Sequence, residues 1–209
     1  MSRQATDLRA EFLKVFHDSF HGSEHSAAMT LLRGHDALRQ AIEDNHRFNC
    51  LLWGEEDLAR RRNVSDSEIA KNKRAIDGFN QKRNDAIERI DEELLANLLS
   101  GVACLPESRL SSESPGAMID RLSILSLKIY HMRLQTQRSD VGRNHTETCA
   151  AKLGRLIEQR DDLGTCLDRL LVEAVRGEAF FKIYRQFKMY NDPALNPAIY
   201  GESKPSTRS

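Results

Sequence analysis

Three charged residues occupy positions of predicted helices where apolar side chains are expected. Arg83 lies near the centre of an apolar stripe that recurs at helical spacing between residues 66 and 100. Arg160 is centred in the same way among leucines further along the chain, and Glu56 interrupts a third stripe. Because burying an isolated charge is prohibitive, each side chain must pair with a protein group, bind a ligand or face a wet cleft.

The sequence leaves several interpretations of these charges open. In one, ion pairs and amide groups form a structural network that fixes the register of the helices. Such a network could also set the pairing of a homodimer. In another, Arg83 and Arg160 hold an anionic group in a pocket between helices through charge-assisted hydrogen bonds. The carboxylates that would orient the arginines or act on the ligand are Glu56, Asp57, Asp77 and Asp91.

Metal and phosphate-loop chemistry find little support in the sequence. His17, His21 and His25 are spaced four residues apart, and two histidines at that spacing can share a metal. Gly22 interrupts the helix there, however, and no carboxylate or cysteine completes a ligand set. We therefore expect a surface or turn-lining cluster, with no metal and no cofactor. The chain also lacks a glycine-rich phosphate loop and a G-x-S-x-G motif, which argues against P-loop and serine-hydrolase chemistry.

Proline placement indicates which elements position the polar residues. All five prolines lie in a mid-chain segment or in the tail, and proline inside a helix costs about 3 kcal/mol. The proline-free blocks show helical rather than alternating periodicity. The sequence therefore predicts an all-α protein, an antiparallel bundle of about five to six helices with an extended C-terminal strap. The predicted helices cover residues 5–20, 26–62, 66–100, 115–138, 146–176 and 178–190.

Length and composition limit the class of protein. We expect the 209 residues to form one domain over residues 1–200 and a flexible tail over residues 201–209. Lys plus Arg and Asp plus Glu both number 31, and this zero formal charge argues against a nucleic-acid partner. No apolar window is long enough for a membrane span, and the N-terminus has no signal-peptide core. Four widely spaced cysteines fit reduced thiols, so we expect a cytoplasmic protein.

The segment from residue 180 to residue 190 is both aromatic and basic. Its aromatic residues give two apolar faces, and three cationic side chains form an edge. We expect it to pack on the bundle as a last helix. Peripheral contact with a membrane surface through this helix stays open.

Four long motifs stand out along the chain. They are N-x-x-L-W-x-x-E-D-x-A-R at residues 49–60, K-R-A-I-D-x-x-N-Q-x-R-N-D-x-I-E-x-I-D at 73–91, P-G-x-M-I-D-R-L-S-I-L-S-L-K-I-Y-H-M at 115–132, and Y-R-Q-F-K-M-Y-N-D-P-x-L-N-P at 184–197. In order and spacing they resemble a bacterial family catalogued as a domain of unknown function. The resemblance spans roughly residues 30–200 and implies an all-helical fold without an assigned reaction. Genes of that family often lie among glycosyltransferase and lipopolysaccharide-assembly genes, which implies a role in envelope-glycan synthesis.

Many residues of these motifs coincide with the polar positions on the inward helix faces. We therefore predict that they converge on one polar site, with Glu56, Asp57 or Asp120 as the acid or base of any catalysis. The sequence leaves open whether Glu56 pairs with Arg60 on its own helix or with Arg83 across the bundle. The residues expected to contact a ligand are Asn49, Trp53, Arg60, Asn80, Arg83, Asn84, Asp91 and Arg160.

The resulting functional expectation is an accessory protein that binds a small anionic ligand or a partner in envelope-glycan synthesis. An enzyme acting on a sugar phosphate or a carboxylate in an Arg/Glu/Asp-lined pocket is the first alternative. A structural homodimer with a polar, register-setting core is the second.

Overall fold

Five α-helices dominate the part of the chain that the computed structural model describes, which is residues 8–20, 36–186, 189, 192 and 194–198. The all-α prediction is confirmed. Helix α3 runs on into a π-helical turn, Leu94–Leu98. The helices are α1 (Ala10–Ser19), α2 (Asp36–Ala59), α3 (Asp66–Glu93), α4 (Pro115–Thr136) and α5 (Arg143–Val175).

Local capping signals set the starts of two helices that carry the site. Ser65 and Glu68 form a capping box at the start of α3, because each side chain accepts a hydrogen bond from the backbone N–H of the other residue. Ser114 caps α4 by accepting from the N–H of Ala117, and Pro115 occupies the first turn, where its missing N–H leaves no helical hydrogen bond unmade. Both helix starts agree with the sequence prediction.

Helix α4 is the centre of the bundle. It contacts each of the other four helices, and buried residues surround most of its circumference. Ile119, Leu122 and Ile129 on this helix are completely buried. Full burial of one such side chain contributes about 1.5–3 kcal/mol. The sequence agrees with this central position, because residues 116–132 are apolar around most of the helix circumference.

The C-terminal part of the predicted bundle needs a correction, because the helix expected over residues 178–190 does not form in its described part, residues 178–186. Ala179–Phe180 is instead a short strand, β2, which pairs in parallel with β1 (Arg109–Leu110), and residues 181–186 have no regular secondary structure. Two long-range backbone hydrogen bonds favour the strand: Arg109 N–H donates to Glu178, and Ser111 N–H donates to Phe180.

Other predicted boundaries lie partly outside the described residues. The helix expected over residues 26–62 is described from Asp36 and ends at Ala59, and residues 21–35 fall outside. The tail expected over residues 201–209 also falls outside. None of the helices in the described segments has both the length and the apolar character that a membrane crossing requires.

Candidate functional site

Helices α2, α3 and α4 enclose a cleft of about 380 Å³, here called the Arg83 cleft. Seven of the eleven predicted site residues line it, so α2 and α3 bring most of the predicted site together. The last three turns of α2, together with Arg60 directly after the helix, form one wall. The lining residues are Asn49, Leu52, Trp53, Glu56, Asp57, Arg60, Asn80, Arg83, Ile124 and Leu127.

Asp120 lies beneath this cleft at the centre of a buried polar network. Its Oδ1 accepts hydrogen bonds from Nδ2 of Asn45 and of Asn49, both at 2.9 Å. The Nε atom of Arg83 lies 3.5 Å from the same oxygen. Asn49 also donates to the hydroxyl of Ser123, at 2.9 Å. The carboxylate of Asp120 therefore holds amides of α2 and the guanidinium of α3 in fixed positions.

Arg83 keeps most of its hydrogen-bonding capacity available to the cleft. Its side chain is 28% exposed, and Asp120 is its ion-pair partner. No described residue accepts a hydrogen bond from its Nε atom or from its terminal nitrogens. A guanidinium carries five donors in a planar fork that matches a carboxylate or a phosphate. The ion pair with Asp120 therefore fixes the position of the guanidinium, and its terminal nitrogens remain available to a ligand in the cleft.

Trp53 and His131 form a stacked pair at one edge of the cleft. Their ring centroids are 4.3 Å apart, with an angle of 3° between the planes. Burial lowers the pKa of His131, and the carboxylate of Asp57 offsets part of that shift. His131 was not among the predicted site residues. It lies eleven residues, or about three helical turns, beyond Asp120. This spacing places both residues on one face of α4, and it is the sequence signal that could have identified His131.

The ion pair of Glu56 is local. Its carboxylate lies 2.6 Å from Nη1 of Arg60, the residue directly after α2, and both side chains are well exposed. Such an exposed i,i+4 pair contributes a few tenths of a kcal/mol. Asp77 likewise pairs with Lys73 on its own helix and does not line the cleft.

Three of the predicted contact residues lie elsewhere, which corrects the expectation of a single common site. Arg160 is buried and pairs with Asp18 of α1 at 2.8 Å, and it also donates to Ser126 at 3.2 Å. Its role is therefore structural, since this ion pair ties α1 to α5. Asn84 and Asp91 line a second pocket on another face of α3, because each residue of a helix is rotated by about 100° from the one before.

This second pocket, here called the Asp91 pocket, has a volume of about 240 Å³ and lies at the start of α4. Asp91 is 3% exposed, and its Oδ1 accepts a hydrogen bond from the N–H of Gly116 at 2.7 Å. Burial raises the pKa of Asp91 to about 6, although hydrogen bonds from Ser114 and Gly116 act in the opposite direction. The pocket thus contains a carboxyl group that titrates close to neutral pH.

The family of the chain is shown by a match that covers the Arg83 cleft and most of the Asp91 pocket. Residues 39–183 match the family described as protein of unknown function (DUF4254). The chain belongs to this family. The DUF4254 match includes every residue that lines the Arg83 cleft, whereas α1 precedes it. No curated protein and no solved structure matches the sequence significantly.

The predicted histidine cluster precedes the DUF4254 match, and its one described member, His17, does not lie on the surface. His17 is fully buried, and its ring stacks on that of His46 with centroids 4.7 Å apart. His21 and His25 lie outside the described residues. In the described ranges no group of three or more histidine, cysteine or acidic side chains is placed to hold a metal ion.

The raised pKa of Asp91 predicts how the free energy of unfolding of this protein depends on pH. An unfolded aspartate titrates near 4, so between about pH 4 and 6 the folded state binds the extra proton. The contribution of Asp91 to stability is therefore largest below pH 4 and is lost as the pH rises through 6. Asp91→Asn keeps an oxygen that accepts the Gly116 N–H and removes the charge.

We therefore expect the free energy of unfolding of Asp91→Asn to rise by about 2–3 kcal/mol relative to that of the wild type when the pH is raised from 4 to 7. Urea unfolding of both proteins at the two pH values measures this difference, and contributions from other titrating groups cancel. A difference that stays constant with pH would contradict a raised pKa at Asp91.

Proposed function

We propose that this protein binds a small anionic ligand in the Arg83 cleft. The single observation that carries the proposal is the state of Arg83, whose Nε atom lies beside Asp120 while its terminal donors have no partner in the described part of the chain. A guanidinium that is positioned in advance loses little side-chain entropy when it binds an anion. The anionic group is a phosphate or a carboxylate, held by charge-assisted hydrogen bonds.

The rest of the lining favours a ligand with a body larger than its charged group. Trp53 and the apolar side chains Leu52, Ile124 and Leu127 supply surface for a ring or chain, and the amides of Asn49 and Asn80 can bind hydroxyl groups. This combination suits a sugar phosphate or a cyclic carboxylate.

Charge along the cleft sets the orientation of the ligand. Arg83 lies close to Asn49, because both contact Asp120. Asp57 lies eight residues, or about 12 Å, further along α2 and would repel an anion. The charged group therefore binds beside Asn49, and the uncharged body extends along α2 towards Trp53 and Asp57.

In the cell we assign this binding to an accessory role in the cytoplasmic steps of envelope-glycan synthesis. The support is the sequence resemblance described above, whose gene neighbourhood implies glycosyltransferase partners. A ligand that combines a sugar-like body with an anionic group has the chemistry of a glycan precursor.

An enzyme is the second candidate, and the electrostatic effect of the Asp57 carboxylate on His131 favours it. A histidine whose pKa is lowered by burial is neutral at pH 7 and can accept a proton, and a nearby carboxylate stabilises the imidazolium that results. His131→Gln distinguishes the two candidates, because it would abolish turnover of a sugar phosphate while leaving binding at Arg83 in place.

Native mass spectrometry of freshly purified protein tests the proposal. We expect an added mass of a few hundred daltons that disappears on denaturation and is missing from Arg83→Met. Arg89→Met is the matched control, because Arg89 lies on the same helix, pairs with Asp44 and does not line the cleft. An added mass that survives in Arg83→Met would contradict the proposed site. A clean dimer with no added mass would favour the structural homodimer.

A further inference from the structure

We propose that the Asp91 pocket is a second, separate binding site, and that its ligand is a small organic ammonium compound with a hydroxyl or carbonyl group at its other end. This site lies on a different face of α3 from Arg83 and does not depend on the proposed anion site. Its main residues are Asn84, Ile87, Asp91, Ser114, Lys182 and Tyr184.

The first reason is the unbalanced charge of Asp91. Asp91 is 3% exposed, and the hydrogen bonds to its carboxylate come from the neutral donors Gly116 and Ser114. Within the described residues no cation forms an ion pair with it. A buried carboxylate without a cationic partner is costly, and a ligand ammonium group would remove that cost.

The second reason is the amide of Asn84, which is independent of Asp91. Asn84 is 6% exposed and lines the same pocket, yet its side chain makes no hydrogen bond to any described residue, and its Oδ1 atom is completely buried. Buried amides are nearly always hydrogen-bonded in folded proteins. An unpaired amide in the wall of a pocket therefore indicates a ligand group that can bond to it.

The spacing of these two residues sets the length of the ligand. Asn84 and Asp91 are seven residues apart, which places them on one face of α3 about two turns, or roughly 10 Å, from each other. Ile87 lies between them and lines the pocket. The ligand therefore carries its ammonium group at Asp91, an apolar middle over Ile87 and a polar group at Asn84.

The segment after β2 forms the outer wall of the pocket. Arg185 holds this segment against α3, because its guanidinium binds Glu88 at 3.0 Å and Glu92 at 2.5 Å. The N–H of Gln186 also donates to Glu88, at 3.2 Å. These contacts hold Lys182 and Tyr184 in the lining of the pocket.

The test is a titration of the full-length protein with 6-amino-1-hexanol, followed by the backbone amide signal of Gly116 in ¹H–¹⁵N correlation spectra. We expect a saturable shift, no comparable shift with 1,6-hexanediol, and at least threefold weaker binding of 3-amino-1-propanol. The diol controls for the charge, and the shorter amine controls for the spacing.

Two variants make the assignment specific. Asp91→Asn retains the oxygen that accepts the Gly116 N–H and should weaken binding at least tenfold, and Asn84→Ala, which leaves Asp91 in place, should weaken it at least threefold. Arg83→Met should bind the amine as the wild type does, so failure of this proposal is distinguishable from failure of the anion site. Equal shifts with the amine and the diol, no shift at all, or unchanged binding in Asp91→Asn would each overturn it.

Binding should also weaken about tenfold from pH 7 to pH 5, because Asp91 must be ionised to hold an ammonium group. The comparison with Asp91→Asn isolates this effect from other titrating groups near the pocket. Those groups are Glu88 and Glu92 on α3, Glu113 before α4, and Lys182, Tyr184 and Arg185 after β2.

Discussion

Replacing Asp120 with alanine is expected to lower the free energy of unfolding by about 3–4 kcal/mol, measured by urea denaturation. The amides of Asn45 and Asn49 would lose their shared acceptor, and Arg83 would lose its ion-pair partner. All three groups belong to helices that pack on α4. The loss of the carboxylate therefore weakens the contacts of α4 with both α2 and α3. Hydrogen bonds to a charged acceptor contribute about 1.5–3 kcal/mol each, and partial exposure of Arg83 reduces its share.

The neighbouring residue provides the control for this prediction. Arg121 lies on the solvent side of α4, where its only partner in the described chain is the surface carboxylate of Glu113. Arg121→Ala should change the free energy of unfolding by less than about 0.5 kcal/mol. A loss below about 1 kcal/mol for Asp120→Ala would mean that the network does not hold the three helices together.

Gly116→Ala is expected to lower the free energy of unfolding by about 3 kcal/mol, because α3 and α4 touch at this glycine. A methyl group there would lie 2.5 Å from the carbonyl oxygen of Ile87 and 2.9 Å from Oδ1 of Asp91. The carbonyl is backbone and cannot rotate away, so the helices must separate. That separation would also stretch the hydrogen bond from Gly116 to Asp91.

Gly54→Ala is the matched control, since it makes the same chemical change inside α2. Outside the backbone of α2 itself, no atom of the described residues lies within 4 Å of the added methyl group, and alanine favours the helix by about 0.5–1 kcal/mol over glycine. The two substitutions should therefore change the free energy of unfolding, measured with urea, in opposite directions. Equal effects would show that helix propensity, and not close packing, decides the result at Gly116.

Helical periodicity explains why most of the cleft could be predicted from the sequence. Asn49, Trp53 and Glu56 recur at three- and four-residue spacing, so one face of α2 carries them, and Arg60 continues this spacing directly after the helix. Asn80 lies three residues before Arg83 on α3, and the short turn after α2 brings these two faces together.

Contacts between distant residues explain what could not be predicted. Arg83 and Arg160 have the same local pattern, yet the partner of Arg160 is Asp18, more than a hundred residues away. The strand at Ala179–Phe180 forms because residues 109–110 pair with it, and two residues are too few to show a period. Sequence spacing alone could not supply either partner.

Trp53, the single tryptophan of the chain, permits the most direct test of the central claim, because its ring lines the Arg83 cleft. Its fluorescence should change saturably with glucose 1-phosphate and much less with glucose, and Arg83→Met should weaken the glucose 1-phosphate response at least tenfold while Arg89→Met leaves it intact. No response to the phosphate, or an equal response in Arg83→Met and the wild type, would contradict an anion site at Arg83.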